Sequence, residues 1–185
     1  MNRCPWSLTN PLMEAYHDEE WGVPLFDDRK LFEFLILDAF QAGLSWAIIL
    51  NKRKTMREAF DEFDPEKISQ YRNRKIEALL TDKGIIRNRM KVNAAVKNAE
   101  SFLKIQKSRS SFSKYIWQFT DQKTIVNSWN NENQIPASTA ESDAMSKQLK
   151  QDGFSFVGTT ICYAFMQAAG MVNDHLTTCF RYSEL

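Results

Sequence analysis

Apolar residues recur at three- and four-residue spacing along most of the chain, a pattern that predicts helices throughout. Asn10-Pro11 reads as a helix start, with Asn10 as cap and Pro11 at the first helical position, opening a short helix from Leu12 to His17. Trp21-Gly22-Val23-Pro24 is a turn-rich link. Asp27 or Asp28 can cap the next helix, which sets Leu31, Phe32, Leu35, Ile36 and Phe40 on a broad apolar face that Asp38 interrupts. Gln41 to Trp46 is a tight connection into a helix that runs to about Phe60. Short helices are expected from Asp64-Pro65-Glu66 to about Tyr71 and from Lys75 to Thr81. A long basic one runs from Arg87 to about Lys107, with Met90, Ala94, Val96, Ala99, Phe102 and Leu103 as its apolar members. Ser108 to Ser113 is polar loop, Phe112 to Phe119 a further helix, and Thr120 to Ala137, with four Asn, an irregular crossing segment. Ser142 to Lys150 is again helical. No strand pair, repeat or low-complexity tract stands out, so the expected class is all-α, one domain over residues 1–185 or two lobes sharing a core.

The chain is organised around residues 152–179. A glycine-bounded apolar hairpin, Gly153-Phe154-Ser155-Phe156-Val157-Gly158, lies within the turn expected at about 153–160 and leads into a buried helix from Thr159 to Ala169. The amides around Val157-Gly158-Thr159-Thr160, at that helix's N-terminus, can bind an anion such as a backbone phosphate. Beyond Gly170, His175 and Cys179 stand four apart and would share a face if helical.

Composition narrows the class. No run of eighteen apolar residues and no signal-like N-terminus occurs, so no membrane association and a cytoplasmic location are expected. A monomer is the default. The net charge of +1 is uninformative, but eleven Lys/Arg against three acids between Arg72 and Arg109 make one region basic, while acids dominate from Asn10 to Asp38. That asymmetry suits either a phosphate-facing surface or a solvated helix face.

The three cysteines cannot make a complete disulfide set, and the only histidines are His17 and His175. Cys4, His17, His175 and Cys179 supply a donor set that suits tetrahedral zinc and would tie the two ends of the chain together. The alternative is that these side chains only pack. Four protein ligands leave no open position, which argues for a structural ion and against a zinc hydrolase. Cys162 sits in the apolar helix and reads as core.

Four motifs then carry a resemblance: C-P-W at 4–6, Y-H-D-E-E-W-G-V-P at 16–24, Q-A-G-L-S-W at 41–46 and F-V-G-T-T-I-C-Y-A-F-M-Q-A-A-G-M-V-N-D-H at 156–175. In order and spacing, from Cys4 to Cys179, the chain resembles the DNA-3-methyladenine glycosylase I family. The resemblance implies a helix-hairpin-helix fold with a structural zinc on Cys4, His17, His175 and Cys179. It also implies monofunctional release of free 3-methyladenine from alkylated double-stranded DNA. It places a base pocket at Tyr16, Asp38 and Trp46, with Tyr16 and Trp46 sandwiching the flipped base and Asp38 and Tyr16 taking part in catalysis. Gly43 and Leu44 would form the wedge that fills the gap left in the duplex, and Gly158, Thr159 and Thr160 would meet the DNA backbone. Trp6 would line the pocket mouth or pack beside Cys4. The family usually has glutamate where this chain has Asp38 and commonly tyrosine where it has Met13. These departures bear on substrate range and rate. They also keep open a zinc-stabilised protein that binds DNA damage without cleaving. Asp174, downstream of the hairpin, can serve as a water-activating base or as a support for His175. Lys52, Arg53, Lys54 and the basic 72–109 stretch can add attraction for DNA.

Overall fold

The computed structural model describes residues 2–185. Nine α-helices among them are α1 Pro11–Glu19, α2 Asp28–Gln41, α3 Trp46–Ala59, α4 Pro65–Ser69, α5 Asn73–Thr81, α6 Arg89–Arg109, α7 Phe112–Trp117, α8 Ala140–Gln151 and α9 Thr159–Ala168. Local chemistry sets several starts. Asn10 accepts from the Met13 amide, Asp27 from Lys30, Asp64 from Glu66 and Lys67, and Asn88 from Lys91. Asp28 does something else. Its carboxylate accepts from Phe112 N, Ser113 N and Gln106 Nε2, so the first turn of α2 caps the start of α7.

Helix α2 is the axis of the core. Every residue from Leu31 to Phe40 is buried, including Glu33 and Asp38, and the helix packs against α3, α6, α7 and α9. A helix buried on all sides cannot show a narrow apolar stripe, which is why its sequence is apolar almost continuously. Glu33 is tolerated there because Arg53 (2.7 Å) and Arg57 (2.7 Å) reach it from α3.

The chain is mostly helical, as its periodicity predicts, with one addition. Ile125–Val126 (β1) pairs in parallel with Val172–Asn173 (β2), and a bridge joins Trp129 to Leu176. Two residues per strand are too few to show a period of two, so the segment reads only as irregular. The basic helix buries Ala94, Ala99 and Phe102 as expected but differs at its start. Met90, taken as apolar-facing, is 67% exposed, whereas Lys91 is buried.

Gly170 closes the turn after α9 with φ +67°, and a Cβ there would stand 2.3 Å from the Val23 carbonyl carbon. Gly170→Ala is therefore expected to cost about 3 kcal/mol or more, from the left-handed backbone and the overlap together. A thermal melt lowered by about 6–12 °C checks it; an unchanged melt would mean that the Val23–Pro24 backbone yields freely.

Candidate active site and metal centre

Two adjoining sites lie where α1, α2, α3, α9 and the two ends of the chain meet. The first is a cavity of about 290 Å³ lined by Trp6, Met13, Tyr16, Trp21, Asp38, Gln41, Trp46, Ile135, Ala164 and Gln167. Tyr16 comes from α1, Asp38 from the buried face of α2, Trp46 from the first residue of α3, and Ile135 from the irregular crossing segment. Asp38 is 1% exposed, its Oδ2 lacks a hydrogen-bond partner, and so does Trp46 Nε1. Burial holds the Asp38 carboxyl well above the usual carboxylate range. An orphaned buried carboxyl is costly to keep, and a cavity that also leaves an indole N–H unpaired has polar groups waiting for a ligand.

The aromatic walls are not a slot. Tyr16 and Trp46 lie 5.2 Å apart between ring centroids and at 49°. A base between them would need parallel rings about 7 Å apart, twice the carbon contact distance. The expected sandwich is therefore corrected to two adjoining walls, and Trp6 adds a third, 6.3 Å from Tyr16. Trp6 lines the cavity and also packs edge-on against His17 at 5.4 Å.

The second site brings together the four ligand atoms of Cys4, His17, His175 and Cys179, all buried and within 4.8 Å of one another. Cys179 Sγ stands 3.4 Å from His17 Nε2 and 3.6 Å from His175 Nδ1, and Cys4 Sγ 3.8 Å from His175 Nδ1. Zinc with bonds of about 2.3 Å to sulfur and 2.0–2.1 Å to nitrogen puts tetrahedral S and N ligands about 3.6 Å apart, so the set fits that ion. The outer nitrogens are also placed. His17 Nδ1 lies 2.7 Å from Asp18 Oδ1, which Arg3 grips, and His175 Nε2 lies 3.0 Å from the Trp21 carbonyl. Such partners fix which nitrogen faces a metal. Burial pushes the Cys4 thiol up to about 12 and His175 down to about 4; a cation among these groups reverses the first and is served by the second.

His175 and Cys179 do not share a helix. They lie on either side of a turn in which the Cys179 amide donates to the Leu176 carbonyl (2.8 Å), and His175 follows β2. The strand pairing aims His175 inward, and no helical period is needed.

Asp174 is occupied. Its carboxylate accepts from Asn127 Nδ2 (2.7 Å), Trp129 Nε1 (2.7 Å), Tyr163 Oη (2.6 Å) and Gln167 Nε2 (2.8 Å). Four donors leave no lone pair free to activate water, so the base role is set aside, and the carboxylate does not bond His175 either, whose Nε2 meets the Trp21 carbonyl instead. It ties the crossing segment, α9 and β2 together and holds Gln167 at the cavity wall.

Around the cavity are two turns. Gly43, Leu44 and Ser45 join α2 to α3; Gly43 has φ +77° with open space around it, and the Leu44 amide bonds the Gln41 carbonyl at 2.6 Å. Between α8 and α9, Gly158 precedes the helix without a side-chain cap, so the first amides of α9, at Thr159 and Thr160, are not satisfied by such a cap. Of the basic residues, Arg53 is held by Glu20 and Glu33, and Lys52 by the Lys83 carbonyl. The larger open hollow of about 760 Å³ near Asp61, Tyr71 and Lys75 is a different matter: Asp61 is already bonded by Tyr71 and by Lys75 at 3.1 Å. Trp21, Gln41, Gln167, Ala164 and Ile135 were not singled out from sequence as cavity residues. Trp21, Gln41, Gln167 and Ala164 lie inside the quoted motifs, whereas Ile135 had no signal. Among the described residues no helix is long and apolar enough to cross a membrane.

The family described as methyladenine glycosylase matches residues 6–182. DNA-3-methyladenine glycosylase 1 of Escherichia coli (strain K12) is 47% identical over 182 residues, covering 98% of this chain and 97% of that protein. A crystal structure of a 3-methyladenine DNA glycosylase I superposes with a TM-score of 0.95 at 48% identity, covering 97% of this chain and 98% of the other. A second, of a variant enzyme of that kind in complex with 3-methyladenine, gives a TM-score of 0.94 at 36% identity, covering 97% of each chain.

Proposed function

Because the chain belongs to the methyladenine glycosylase family, we propose that it is a DNA-3-methyladenine glycosylase that flips the methylated nucleotide from the duplex and hydrolyses its N-glycosidic bond without cutting the strand. The observation that carries this reading is the buried cavity whose walls are aromatic and whose one carboxyl, on Asp38, lacks a partner. A flipped base pays a few kcal/mol for unstacking. A 3-methylated adenine in DNA is cationic, so it gains from the faces of Tyr16, Trp46 and Trp6 and from Asp38, which its charge draws back to the ionised form. An uncharged base gains neither, and that difference is the selectivity.

The chemistry asks little more. The electron pair of the bond between N9 and C1′ leaves with N9, which makes the departing base neutral. Water oxygen bonds to C1′ and its proton goes to solvent. Asp38 and Tyr16 act by holding the cationic base while the sugar cation develops, so no strong general base is needed. No lysine lines the cavity and Thr159 and Thr160 open α9, which supports a monofunctional reaction with no Schiff base.

Cys4, His17, His175 and Cys179 would hold one structural zinc, which when bound supplies a cross-link between the ends of the chain and charge for two thiolates. Residues 1–185 act in this reading as one helical unit, monomeric and cytoplasmic. The α8–turn–α9 unit is its helix-hairpin-helix, offering the Gly158, Thr159 and Thr160 amides to a backbone phosphate of double-stranded DNA. Gly43 and Leu44 occupy the gap left by the flipped nucleotide.

The test is chromatography of the supernatant after incubation with methylated duplex. Free 3-methyladenine, with strands intact until alkali is added and no borohydride-trapped adduct, is expected. Folded, metal-loaded protein that binds the duplex and releases nothing would replace this reading with damage binding alone.

A further inference from the structure

Helix α6 is the basic helix, yet Lys91, Asn98 and Ser101 on it are buried, and the first two reach across to other elements. Lys91 is 6% exposed, and its Nζ donates to the Phe40 carbonyl (2.8 Å) and the Ala42 carbonyl (2.7 Å). Those carbonyls end α2, where the last turn has no helical donors and the dipole is negative. Asn98 is fully buried. Its Nδ2 donates to the Ser155 carbonyl (3.0 Å), and the Ser155 amide donates to its Oδ1 (2.7 Å). Lys91 thus holds the base of the α2–α3 turn, and Asn98 the middle of the α8–α9 turn. Seven residues apart, they lie on one face of α6, separated by about 10 Å of helix axis.

The geometry points to α6 as a clamp: Lys91 and Asn98 are positioning residues that fix the separation between the Gly43–Leu44 turn and the hairpin before Gly158. The inference rests on the proposed reaction, in which the first turn fills the gap in the duplex and the second grips a phosphate. Flipping requires both at once, at a set spacing along the DNA. All four bonds come from side chains of α6 and span long sequence separations. An ammonium buried at a helix end costs desolvation, which burial registers by lowering the Lys91 pKa; its two carbonyl bonds offset that cost.

The consequence separates duplex from single strand. An already unstacked base needs no wedge. Lys91→Met is expected to lower the ratio of base release from methylated duplex to release from methylated single strand by about tenfold or more, since an ångström of misplacement is costly. Affinity for free 3-methyladenine, read from tryptophan fluorescence, should stay unchanged, because Lys91 does not line the cavity. Lys91→Arg, which can still donate to both carbonyls, should restore most of the ratio. Asn98→Asp should weaken duplex binding and spare free-base binding. Equal losses on both DNA substrates, a parallel fall in free-base affinity, or no change in the ratio would overturn the clamp. Absence of release by the wild type would instead remove the glycosylase reading beneath it.

Discussion

Asp38→Asn should lower release of 3-methyladenine from methylated duplex by about 10²–10³-fold, the usual loss when one preorganised electrostatic contact is removed from a site. Asparagine keeps the shape and one acceptor but cannot carry the charge that a cationic base selects. Duplex affinity should hardly move, because the groups proposed to meet the DNA backbone and to fill its gap lie on the two turns and not in the cavity. The pH profile of the wild type should show an acid limb: release rises with pH as Asp38 ionises in the complex, and the asparagine variant loses that limb. Stability should move the other way. Burial raises the Asp38 pKa above its unfolded value. The folded state then holds a proton that the unfolded chain has lost, so stability declines as pH rises from the ordinary carboxylate range through the raised value. Asparagine does not titrate, so the variant should melt higher than the wild type, with a gap that widens over that rise in pH. Activity lost and stability gained by one change marks a group kept for binding. A variant that retained release within a fewfold would show that the carboxylate charge is not what selects the base.

Removal of the metal should have the second large effect. The purified chain is expected to carry about one equivalent of zinc, closed by four protein ligands. Chelation, or Cys179→Ser, should lower the melting temperature by on the order of 10 °C or more, since metal binding energy is folding energy. The damage should reach the cavity through its shared walls. Trp21 packs edge-on against His175 at 4.6 Å and against Trp6 at 4.9 Å, so loss of the cluster loosens two cavity residues together. Protein that is chelated below its melting point, and still folded, should nonetheless release base, because no ligand position is open for substrate. Atomic emission and calorimetry check the first part and base release the second. Metal-free protein with an unshifted melt would remove zinc from the account, and a folded but inactive apo form would mean that the cavity needs the bound ion.

The helices were legible because caps and apolar spacing are local: Asn10, Asp27 and Asp64 each accept from an amide three residues on. Asp38 was visible as an acid that interrupts an apolar run, a position that is costly unless something uses it. The family motifs named Cys4, His17, His175 and Cys179, and chemistry alone had already paired their donor types. What stayed hidden was facing and distance. Lys91 looked like one more surface cation, because a count of charges cannot tell an ammonium in water from one that ends a helix. Asp174 looked like a candidate base, and only its four donors show it to be filled.

The sequence by itself determined the helical class, most helix starts, the donor types for a metal and, of the cavity residues, Trp6, Tyr16, Asp38 and Trp46. Each depends on spacing within a few residues or on the chemistry of a single side chain. The tertiary structure decided the rest: that Tyr16 and Trp46 meet at an angle, that His175 reaches its partners from the segment just after β2, and that Lys91 and Asn98 face inward to hold two turns. Those outcomes depend on contacts between residues tens of positions apart, where packing and hydrogen-bond satisfaction choose among facings that local pattern leaves equal.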